Sequence, residues 1–310
     1  MAEAKIQIDT HLDAPVTEER ESLNAILASA LKNKANFQAV KEASEKSCWS
    51  ASHFGLDQVA LFNQSTDDER QEILQGCSAN VLAEAYYIEK CGMYFAPKMS
   101  LLAESVEEKM LYNLFAADET MHFSWIAQFV NQKAIENYLH NPFIQMLAEI
   151  LRREDKTTLT YIVQIILEGW GINHYNLLMK NCCDARLRQI FEQILKDEAR
   201  HHGSGLILFN EKRLTAKHLE TISEILIGFF RMVQVGPQMV VAQIEQIKGH
   251  LSTAQKTQIF NELSCEQETA KRIETLKSFI RAARYEEVII ERLERAKVFD
   301  PFTASACAMI

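Results

Sequence analysis

Two short runs in this chain carry the side chains from which redox or hydrolytic metal chemistry is built, Asp118-Glu119-Thr120-Met121-His122 and Asp197-Glu198-Ala199-Arg200-His201. Both read D-E-x-x-H. On a helix, residues i and i+3 share a face, so Glu119 with His122, and Glu198 with His201, each offer an oxygen and a nitrogen ligand side by side. With 42 acids in 310 residues, acids at both −3 and −4 are expected before about 0.2 of the nine histidines. Two occur, and the other seven histidines have no acid at −3.

The runs are 79 residues apart, and the same shift lays Glu89 on Glu168, Gly92 on Gly171, Leu111 and Tyr112 on Ile190 and Phe191, and Phe115 on Ile194. One helical hairpin has been duplicated. Phe115 and Ile126 flank Glu119, and Ile190 and Ile194 precede Glu198, so the carboxylates sit in apolar stripes. A carboxylate buried there costs several kcal/mol unless it is compensated, and a metal ion compensates it. One Glu from each of two helices plus Glu-x-x-His from each of two others is a two-metal recipe of four-helix bundles. Oxygen ligands with two imidazoles suit iron or manganese. Glu84 competes with Glu89 for the first position, because counting outward from a loop at Lys98 to Ser105 sets Glu84 and Glu119 at more equal heights; the repeat favours Glu89.

The doubled E-x28-D-E-x-x-H resembles the ferritin-like di-iron carboxylate superfamily over roughly Asp67 to Asn210, and within it looks more like the p-aminobenzoate N-oxygenase group and bacterial multicomponent monooxygenases than like ferritin. That resemblance implies a four-helix bundle in which Glu89, Glu119 and His122 hold one iron and Glu168, Glu198 and His201 the other, with manganese in place of one iron as the alternative. It implies that Asp118 and Asp197 accept the free N–H of a ligand histidine. It also implies O2 as a substrate, a small apolar or amphipathic organic co-substrate and an electron donor, in an oxidase or oxygenase; iron storage and peroxide reduction are the rival family activities. The N-oxygenase group adds a third histidine one turn before the last Glu-x-x-His, where this chain has Ile194.

The elements that must position these residues are long and few. Ten Gly and five Pro in 310 residues, 47% of them hydrophobic, suit helices and starve a many-stranded sheet or a phosphate-binding glycine loop of turn residues. The reading is all-α, with a helical extension at 1–66, the bundle at 67–210, further helices packed on it at 211–300 and a flexible tail at 301–310. The extension holds short amphipathic helices broken at Asn33 to Asn36 and Ser47 to Ser52. A helix opened by Asp67 or Asp68 is expected to stop at Pro97, and Ser105 with Glu108 opens the next. Asp184 caps the helix that carries Glu198. Three or four helices follow Thr215, broken near Gly236, Pro237 and Gly249.

A net charge of −9 without a dense basic run excludes nucleic acid as the expected partner. Seven cysteines with no CxxC pair point to neither a disulfide framework nor structural zinc, and fit a reducing cytoplasm. The apolar window Ile225 to Ile244 is broken by Arg231, Gln234, Pro237, Gln238 and Gln243, so no stable membrane insertion is expected; Arg231 and the glutamines are read as the polar rim of a pocket mouth. A homodimer is also expected. His174, His202, Tyr86, Tyr112, Tyr161, Tyr175, Cys182 and Cys183 are given no role, and Cys307 to Ile310 match a prenylation signal only formally.

Overall fold

The computed structural model describes residues 47–209, 213–282 and 286–310. The described residues are helical, with no strand and a single isolated antiparallel bridge, Trp49 to Cys182. The Asn33 to Asn36 break lies outside the described residues. The described residues divide into two compact units that do not follow the boundaries at 67 and 210: one holds 81–153, the other 47–80, 154–209, 213–282 and 286–310.

In the first unit, the helix Asp67–Leu102, whose opening turns belong to the second unit, is followed by Val106–Ile126, Gln132–Tyr138 and Pro142–Arg153. Ser105 caps as expected, its Oγ accepting from the Glu108 N–H at 3.1 Å. The reciprocal carboxylate bond lands one residue earlier, on Glu104 N–H at 2.8 Å. The expected stop at Pro97 is a correction, because the helix runs on to Leu102 with Pro97 inside it. A proline removes one helical hydrogen bond and crowds the preceding turn. Tertiary contacts outweigh that cost: Lys98, Met99 and Ser100 are buried, and Lys98 Nζ donates to the Leu151 carbonyl at 2.7 Å.

The second unit opens with short helical turns at Ala51–Phe54, Leu56–Gln58 and Ala60–Asn63. Its central rod is Lys156–Leu159, a π-helical stretch Thr160–Leu167, and Glu168–Asn181. Asp184 then caps Ala185–Leu208, its carboxylate accepting from Arg186 and Leu187 N–H at 2.9 Å. Among the described residues from 213 to 295 there are five helices, one more than expected: Ala216–Gln234, Gln238–Lys248, Thr253–Glu262, Cys265–Ala282 and Glu286–Arg295. The break between the first two falls at Gly236, whose φ of 70° favours glycine, and Pro237.

No single helix among the described residues is long and apolar enough to cross a membrane; Ala216–Gln234 and Gln238–Lys248 have that composition only together, and they are bent by 42°. Two of the glutamines expected at a pocket mouth, Gln234 and Gln238, are committed to backbone carbonyls instead. Gln234 Nε2 donates to the carbonyls of Lys297 (3.0 Å) and Asp300 (2.7 Å), Gln238 Nε2 to those of Val235 (3.0 Å) and Cys307 (2.8 Å), and Arg231 is exposed. These amides hold the chain's last residues in place, which corrects the flexible tail. Ala304–Cys307 is a helical turn capped by Thr303, and Ala304, Cys307 and Ala308 are buried in a core with Leu56, Phe62 and Phe260. The Cys307 thiol, formally a prenylation acceptor, is therefore shielded.

Candidate metal centre

Helix length sets the height of each carboxylate. Thirteen residues separate Glu89 from the end of its helix at Leu102, and thirteen separate Glu119 from the start of its helix at Val106. The second hairpin repeats this: thirteen residues from Glu168 to Asn181, and thirteen from Ala185 to Glu198. At 1.5 Å per residue both glutamates of a hairpin lie about 20 Å from their turn. The height argument for Glu84 rested on a turn at Lys98 and ends with the helix running on to Leu102. Glu84 instead accepts the Tyr138 hydroxyl at 2.6 Å.

In the first unit, Glu89, Glu119 and His122 each place a ligand atom within 4.8 Å of the others. Glu89 Oε2 is 3.2 Å from His122 Nδ1, and all three residues are buried. Tyr112, Phe115 and Ile126 are buried on the Glu119 helix, and Trp125 lies against the His122 ring with centroids 5.8 Å apart. Gly92 faces Glu119 so closely that a Cβ built there would run into the carboxylate.

In the second unit, Glu168, Glu198 and His201 converge within the same 4.8 Å. His201 Nδ1 lies 3.4 Å from Glu198 Oε2 and 3.9 Å from Glu168 Oε2. Ile190, Phe191 and Ile194 are buried on the Glu198 helix, so the position of the N-oxygenase group's third histidine is an apolar core position here. Glu168 directly follows the π-helical stretch. Within that stretch the fully buried Gln164 donates Nε2 to the His201 carbonyl at 2.9 Å and to Ser204 Oγ at 2.8 Å. Gly205 leaves room for its stem.

Asp197 is buried, with Arg200 and Gln193 Nε2 (3.4 Å) among its contacts; Asp118 is half-buried. His174 lies against Tyr175, and His202 Nδ1 is 3.3 Å from the Gln164 carbonyl. The Gln164 contacts and the close approach of Gly92 to Glu119 carry no signal in local spacing, since both depend on the neighbouring helix.

The donor set fits a metal ion. Each triad sets two carboxylates and one imidazole among apolar neighbours, all of them buried except the partly buried Glu168, and negative charge there is costly without a cation. Oxygen with imidazole nitrogen and no thiolate is the chemistry of iron or manganese rather than structural zinc. Comparison of the chain with family models, with curated proteins and with solved structures finds no match.

Proposed function

We propose that each triad holds one metal ion, so that the chain carries two, iron with iron or manganese with iron, on a ferritin-like helical scaffold, and that the protein is an O2-activating oxidase or oxygenase of a small apolar or amphipathic molecule. One observation carries the reading: both D-E-x-x-H runs close on a glutamate thirty residues upstream, each hairpin measuring thirteen residues on either side of its turn. Glu89, Glu119 and His122 would hold one ion, and Glu168, Glu198 and His201 the other. Two such ions supply redox equivalents and Lewis acidity toward dioxygen and an organic substrate.

The chain's own residues bind, orient and exclude water. Glu-x-x-His on one helix fixes the angle between carboxylate and imidazole. Phe115 and Ile126 in one unit, and Ile190 and Ile194 in the other, keep the carboxylates in an apolar setting in which a charged ligand set binds a cation more strongly than in water. Asp118 and Asp197 are proposed to orient the ligand histidines. An electron-donor protein or small reductant completes turnover, and all seven cysteines being free suits a reducing cytoplasm.

The test is elemental analysis after anaerobic loading with ferrous ion, followed by O2 uptake with and without excess iron. Two ions per chain, lost in Glu119→Ala/Glu198→Ala, with O2 uptake that stops once those ions are oxidised, supports the reading. Uptake continuing through hundreds of irons per assembly replaces it with storage, and rapid hydrogen peroxide consumption with slow O2 uptake replaces it with a peroxidase. One ion per chain, or retention in the double variant, refutes the metal assignment.

A further inference from the structure

The repeat lays Gly92 on Gly171, yet the two glycines face different surroundings. An alanine methyl at Gly92 would overlap the Glu119 carboxylate and come within 3.0 Å of its Cγ. A methyl at Gly171 would meet nothing within 4 Å. Both sit inside helices, where glycine lowers stability relative to alanine. At Gly92 that cost obtains something: bare backbone on the Asp67–Leu102 helix leaves a seat for the Glu119 side chain, which reaches Glu89 and His122 from it. Cys91 and Phe95 are buried on either side of Gly92, and Phe115 on the Glu119 helix, so a displaced carboxylate would move against apolar neighbours.

We propose that Gly92 is the positioning residue of the first triad: it admits the Glu119 carboxylate to its place beside Glu89 and His122, while Gly171 does no such work in the second triad. The two halves of the duplication are then unequal in one specific respect. Glu119 is held by a steric seat on the facing helix, and Glu198 is not held by the equivalent glycine. This deepens the metal-centre reading and rests on it.

The experiment titrates metal-free protein with Mn2+ alone, by equilibrium dialysis with elemental analysis, and records thermal unfolding of the metal-free forms. Gly92→Ala should weaken one of two sites by about ten-fold or more, the range seen when groups supporting a ligand are lost, and leave the other unchanged. Gly171→Ala should bind as the parent does. A double-mutant cycle reads the same contact without metal. In a Glu119→Ala background no carboxylate is left to strike, so adding Gly92→Ala should raise the unfolding temperature by about 2 °C, as Gly-to-Ala does in a helix, whereas in the parent it should lower it. Parent-like Mn2+ binding by Gly92→Ala overturns the proposal and leaves the metal centre standing. Equal destabilisation in both backgrounds also overturns it, even if the single variant folds too poorly to titrate. A parent that binds no metal overturns both readings.

Discussion

Gln164→Leu isolates what the π-helical stretch does for the second triad. Gln164 is fully buried, and its amide donates two hydrogen bonds to the Ala185–Leu208 helix, at the His201 carbonyl and Ser204 Oγ. Leucine has nearly the same shape and no donor. The His201 carbonyl keeps Ser204 Oγ as a donor at 2.8 Å, so no acceptor is orphaned and the loss is that of two ordinary bonds, about 1 kcal/mol each. The metal-free protein should lose about 2 kcal/mol, measured as a fall in the urea midpoint at unchanged slope. Gln164→Glu should cost more, since a carboxylate oxygen would then face the His201 carbonyl. Because Gln164 is one turn before Glu168 and bonds the backbone of His201, the loosened registry should weaken Mn2+ retention about ten-fold at the second site. Wild-type stability in Gln164→Leu would refute the energetic argument. Equal weakening of both sites would refute the claim that the effect is local.

Two further outcomes can be checked on the metal-free protein. Burial, with His174 and Arg272 adding to it, lowers the His53 pKa from 6.5 to about 4. The unfolded chain then takes up a proton that the folded chain refuses, so stability should fall as pH drops from about 6.5 towards 4, and His53→Phe, which keeps a ring against Trp49, should flatten that part of the profile. A parallel pH profile in the variant would assign the slope to other groups. Native protein should show one fast thiol towards a disulfide reagent, Cys183, because the other six are buried and burial pushes the Cys48, Cys77 and Cys91 thiols up to about 12 and the Cys182 and Cys265 thiols up to about 11. Two or more fast thiols would contradict the packing around Cys307 or the Trp49–Cys182 bridge.

Local chemistry was readable along the chain, and chemistry decided by distant partners was not. Ser105 and Asp184 announce helix starts because a cap is settled within three residues, and both cap as read. The Glu-x-x-His pairs were legible for the same reason, since one helical turn joins them. Pro97 was misread as a stop because its cost is offset by Lys98 bonding to Leu151, 53 residues on. Gln234 and Gln238 read as a polar rim because nothing nearby reveals carbonyls 63 to 69 residues away. The tail fails alike: a short run ending DPFTASACAMI has little periodicity, and its order comes from the core it joins. The π-helical stretch has no signature in residue type, as Thr160–Leu167 is an apolar run that an α-helix would hold equally well.

The equal arms of the two hairpins also decide which changes in length the chain tolerates. Losing one residue between Glu89 and Leu102 shortens one arm by about 1.5 Å and swings everything beyond the cut by about 100° around the helix axis, so Glu119 would no longer meet Glu89. Removing seven residues from each arm of a hairpin takes out about two turns on both sides and restores the facing to within about 20°. The turn could thus be moved some 10 Å nearer the glutamates without breaking their pairing, whereas unequal trimming would separate them. The hairpin behaves as a pair of matched rulers, and its natural unit of graduation is the heptad.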